Sequence, residues 1–114
     1  MVNEIKKFDL ESMFKGWFIG NFEPSLFKTN DVEVGIKKYR SGDYEGNHYH
    51  KIGTEFTVIV TGEVEMAGNI YRDNDILMIE PGVVTDFRAI TDVITVVVKL
   101  PGANDDKYII ENSL

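Results

Sequence analysis

From Trp17 onward, apolar and polar positions alternate in short runs instead of recurring at helical spacing. Trp17-Phe18-Ile19 is aromatic and β-branched, and residues 31–36 alternate polar with apolar side chains. Residues 55–60 form the strongest run, stopped by Thr61-Gly62 and followed by 63–66, and Ala67-Gly68-Asn69 reads as a hairpin turn returning through 70–72. Arg72-Asp73-Asn74-Asp75 is a further turn, then come 76–79, the Pro81-Gly82 turn, 86–90 and 93–100. Short strands separated by turn residues in this way predict an all-β sandwich or barrel. Ahead of them, Asp9 as a cap and Gly16 as a stop predict a short helix around residues 10–14. The chain divides accordingly into an N-terminal arm (1–30), a β-domain (31–101) and a tail (102–114).

Two of these strands are apolar on both faces. Phe56, Val58 and Val60 share one face of theirs, while Thr57 and Ile59 share the other with Glu55. Val93 and Val97 oppose Ile94, Val96 and Val98 in the same manner. One sheet face packs inward; an apolar outer face needs a second cover, and the expectation is a homodimer.

Composition and charge narrow the function. The chain has 114 residues, enough for one hydrophobic core. Its net charge is -7, with no basic stripe, which argues against a nucleic-acid partner. Lys6-Lys7 and Lys37-Lys38 read as isolated pairs of solvated surface charge. No apolar run reaches the ~20 residues of a membrane span, and the first residues lack the pattern of a secretory signal. A cytoplasmic protein without a membrane partner is expected. There is no cysteine, so thiolate ligands, disulfides and thiol nucleophiles are excluded together.

The two histidines of the chain, His48 and His50, stand two residues apart. On a strand that spacing puts both imidazoles on one face, and a bend through residues 51–54 can return the Glu55 carboxylate beside them. Two histidines and one carboxylate can hold a divalent ion and leave positions open for water or substrate. Thr85, Asp86 and Phe87 are candidates for a further ligand or for pocket lining. Tyr49 should point to the opposite face, and Lys99 is expected at the surface.

The run Gly42, His48-Tyr49-His50, Glu55 and Gly62 resembles the first sequence motif of the cupins at every defined position. A second motif is present in part: Asn74-Asp75 stands where that family has Gly-Asp, Glu80-Pro81-Gly82 makes the turn, and the family's last ligand histidine falls on Thr85. The resemblance spans residues 32–100. It implies a double-stranded β-helix, a jelly-roll barrel, with a divalent metal (iron, manganese, nickel or zinc) on His48, His50 and Glu55. It also implies a small-molecule ligand or substrate, of a polar and possibly sugar-derived class, since such sites serve dioxygenases, isomerases and decarboxylases. Thr85 in the histidine position points instead to a non-catalytic binding protein with a degenerate metal site. Both readings, metal-dependent enzyme and binding module, stand at this point.

Overall fold

The computed structural model describes residues 4–103 and 105–111. Ten strands follow in order: β1 (Trp17–Ile19), β2 (Glu33–Tyr39), β3 (Tyr44–His50), β4 (Thr54–Thr61), β5 (Glu63–Met66), β6 (Asn69–Arg72), β7 (Ile76–Ile79), β8 (Thr85–Ala89), β9 (Val93–Leu100) and β10 (Lys107–Ile109). They form two five-stranded sheets, ordered β1-β2-β9-β4-β7 and β10-β3-β8-β5-β6. All the strand pairings are antiparallel. The tail therefore contributes the edge strand β10 to one sheet, and the N-terminal segment contributes β1 to the other.

The core lies between the sheets. Ile59 and Val93 from the first sheet meet Val64, Met66, Phe87 and Ala89 from the second, with Tyr39, Tyr71, Leu77 and Ile79 packed around them. Ile59 and Val64 are fully buried, each such side chain contributing about 1.5–3 kcal/mol relative to exposure. The β4–β5 turn fits closely over β9: a Cβ at Gly62, whose φ is +109°, would come within 2.4 Å of the Asp92 carbonyl oxygen.

Two expectations are corrected. Neither sheet closes into a barrel, so the anticipated jelly-roll barrel is instead a pair of open sheets face to face. β6 and β7 are linked by a short turn but hydrogen-bond in different sheets, and β1, β7, β10 and β6 all remain edge strands. The apolar inner faces bury against one another, so the core forms without edge-to-edge hydrogen bonding. Nor is there an N-terminal α-helix. Leu10–Ser12 makes a single 3-10 turn, for which Asp9 provides no side-chain cap bond. Among the described residues, no helix is long and apolar enough to cross a membrane.

The two-sided strands have a definite consequence. Across the outer face of the first sheet, Val34, Val98, Phe56 and Met78 stand in one cross-strand row. Ile36, Val96, Val58 and Ile76 form the next. The eight positions carry no charge, and at the β7 edge Ile76 and Met78 are 68% and 57% exposed.

Candidate functional site

The inner faces of both sheets frame a cavity of about 280 Å³. His48 and His50 reach it from β3, in the second sheet, as their spacing of two predicts. Both are buried, at 8% and 6% exposure, with ring centroids 5.9 Å apart and the rings nearly perpendicular. β3 is clamped between β10 and β8, with His48 opposite Ile109 and Thr85, and His50 opposite Lys107. The Pro81-Gly82 turn is tied to the same strand, because Gly82 N–H donates to the His50 carbonyl at 2.7 Å.

The histidine rings are set differently. Nδ1 of His48 lies 2.9 Å from the Gly46 carbonyl, which accepts its proton and leaves Nε2 with the lone pair. Nε2 of His50 is buried without a hydrogen-bond partner. Burial, then the positive charge of Lys99, lowers the His50 pKa, so the ring is held toward its neutral form.

Glu55 enters from β4 in the facing sheet. Its Oε2 accepts a 2.8 Å hydrogen bond from the Thr57 hydroxyl, two residues along on the same face. The bend that brings β4 back from β3 is fixed by Asp106 of the tail. That carboxylate accepts the backbone N–H groups of Lys51, Ile52 and Gly53 at 2.8–3.2 Å. Burial alone would raise the Asp106 pKa, but those bonds outweigh it and hold the carboxyl below its ordinary range.

The remaining candidates divide. Phe87 lines the cavity and packs on Tyr39 with centroids 4.4 Å apart. Thr85 is buried but turns its hydroxyl onto the Asp86 carbonyl at 2.7 Å, and it borders a different concavity near Met66 and Ile79. Asp86 accepts from the Ala67 N–H at 2.9 Å, on a more exposed part of the surface. Neither supplies a group to the histidine cavity.

Several lining residues escaped sequence reasoning. Trp17, Lys37 and Lys99 all border the cavity, as do Tyr39 and Glu45. Lys37 and Lys99 were expected to be solvated, yet both face inward from β2 and β9. The signal lay in parity: Lys37 shares its face with Gly35 and buried Glu33, and Lys99 shares its face with buried Thr95 and Val97. In register, Lys99 stands between Glu33 and Glu55. Burial raises the Glu33 pKa, with Lys99 opposing. Burial also raises that of Tyr39, helped by the hydrogen bond its hydroxyl donates to Glu45 at 3.2 Å.

No family model matches this sequence, and no curated protein does. Solved structures do. A double-stranded β-helix domain protein from Klebsiella pneumoniae is 22% identical, with a TM-score of 0.68 over 96% of this chain and 100% of that one. An RmlC-like cupin from Shewanella frigidimarina is 20% identical, with a TM-score of 0.59 over 68% of this chain and 72% of that one. The chain has the cupin fold. The DMSP lyase DddQ from Ruegeria pomeroyi shares this cupin fold at 17% identity, with a TM-score of 0.67 over 81% of this chain and 50% of that one.

The residues of this cupin-fold chain can be tested against the metal that its first motif implies. The imidazoles suit an ion, each with an Nε2 not tied up by the protein. The carboxylate is not grouped with them: Glu55 stands on the facing sheet, on a strand position paired with Lys99. Among the described residues, no group of three His, Asp or Glu side chains is placed to hold an ion. The residues present do not amount to a ready three-ligand centre.

Proposed function

We propose that this protein binds a small polar molecule in the cavity between its sheets, with His48, His50 and Glu55 as the groups that recognise it. The observation that carries this reading is the buried, unpartnered Nε2 of His50. A buried polar atom left without a partner costs about 1–3 kcal/mol. A ligand hydroxyl or amine seated in the cavity removes that cost by donating to the nitrogen. His48 Nε2 accepts a second proton, and Glu55 a third. A cavity of about 280 Å³ suits a molecule of roughly monosaccharide size.

Metal analysis of the purified protein beside His48→Ala tests the reading against the metal-dependent one. Less than a tenth of an ion of iron, manganese, nickel or zinc per chain, in both proteins, is the expected result. Near one ion per chain, lost in the variant, would replace the proposal with a metal centre on the same imidazoles.

The partner of the outer apolar face, in this reading, is a second copy of the chain. The two rows run across four strands without a charge, on a chain whose net charge is -7. An uncharged apolar patch of this kind suits pairing with its own copy about a two-fold axis.

A further inference from the structure

Four lysines line the cavity beside the carboxylates of Glu45 and Glu55, on a chain that is acidic as a whole. Lys15, Lys37, Lys99 and Lys107 all border it. The Nζ atoms of Lys37 and Lys99 lie 5.5 and 5.0 Å from the centroid of the Trp17 ring. Among the described residues neither has a carboxylate within ion-pair distance, whereas Lys107 is paired with Glu45 at 3.6 Å. Lys37 is partly tethered by donating to the Lys15 carbonyl at 2.8 Å. Burial lowers the Lys37 pKa; the Glu45 carboxylate opposes this, and the charges of Lys15, Lys107 and Lys99 lower it further. Glu45 is taken up by Lys107 and Tyr39, and cations left without a carboxylate at ion-pair distance favour an anion that joins them.

We propose that Lys37 and Lys99, held over the indole of Trp17, form a subsite for a carboxylate or phosphate group, so that the ligand of the cavity is a small hydroxylated anion. The inference rests on the cavity being a small-molecule site and adds the charge of what enters it. In this arrangement the ammonium groups take the anionic end of the ligand, and His48, His50 and Glu55 take its hydroxylated end. The aromatic face of Trp17 holds the two cations near each other through cation–π attraction while leaving their N–H groups free to donate.

Trp17 is the sole tryptophan of the chain, so its fluorescence reports on this subsite directly. The probes are glucuronate, inorganic phosphate and glucose, titrated at low ionic strength into the full-length protein. Glucuronate and phosphate should change the emission saturably, and glucose should bind at least about 10-fold more weakly than glucuronate. Lys37→Gln and Lys99→Gln should each weaken glucuronate by about 10-fold, with Lys38→Gln unchanged as the exposed control. Raising ionic strength from about 0.01 to about 0.15 M, which shortens the Debye length from ~30 to ~8 Å, should weaken both anions. No saturable response to either anion overturns the proposal, as does wild-type affinity in the Lys37→Gln Lys99→Gln double variant when its circular dichroism shows it folded. Glucose binding as tightly as glucuronate, and lost in His48→Ala, would overturn the anion subsite while leaving the small-molecule reading standing.

Discussion

The indole of Trp17 lies against Gly35, where a Cβ would come within 2.7 Å of the ring carbon Cε3. β1 and β2 pair through these same two residues, so the glycine sets how closely the only tryptophan approaches the sheet. Gly35→Ala should push the ring off β2 at a cost of about 1–3 kcal/mol. The variant should show shifted Trp17 emission and a lower denaturation midpoint. Unchanged emission and midpoint would mean that the contact places nothing.

Thr57 holds Glu55 in the cavity wall through its hydroxyl. Thr57→Val keeps the shape of the side chain and removes the donor. The expected loss is about 1 kcal/mol in urea denaturation, together with weaker ligand binding because the carboxylate is free to rotate. Equal affinity in the variant would show that Glu55 needs no positioning.

Asp106 gives the fold a pH dependence of known sign. Its carboxyl has a lower pKa in the folded chain than in the unfolded one, so the stability it contributes is present at neutral pH. That contribution should be lost as pH falls below about 4, through the folded-state pKa. Asp106→Asn should cost about 1.5–3 kcal/mol at neutral pH, and the difference from the wild type should shrink in acid. A difference independent of pH would refute the ionised form of this bend.

The strand pattern and the site were legible to different degrees. The parity of residues 55–60 identifies Thr57 and Ile59 as inward-facing, and His48 and His50 share a face because strands have period two. Lys37 and Lys99 were misread because a lysine on an alternating strand resembles a solvated one until its neighbours across the sheet are known. The register with Glu33 and Glu55 is not written in either strand alone. β10 was missed because Lys107–Ile109 pairs with β3 across more than fifty residues, and no local pattern marks it. Sheet closure was misjudged for the same reason. Alternation says which side of a strand is buried, while hydrogen bonding between edges depends on where the turns send them.

The apolar outer rows predict a dimer. Light scattering at micromolar concentration should give about twice the chain mass of 13.0 kDa. Val58→Lys, at the centre of the patch, should yield a folded monomer, since burying an unpaired ammonium in a dry interface is strongly unfavourable. A monomeric wild type would leave the face to some other cover.

The most direct test of the cavity as a small-molecule site uses the imidazole nitrogens themselves. With two histidines in the chain, a long-range proton–nitrogen correlation spectrum contains only four ring-nitrogen signals. Without ligand, His48 should show the tautomer protonated at Nδ1, as its bond to Gly46 requires. On titration with glucuronate, the Nε2 signals of His50 and His48 should move saturably, in step with Trp17 fluorescence. Ring nitrogens that stay fixed while the fluorescence saturates would place the ligand elsewhere and contradict the assignment of His48 and His50 as its recognition groups.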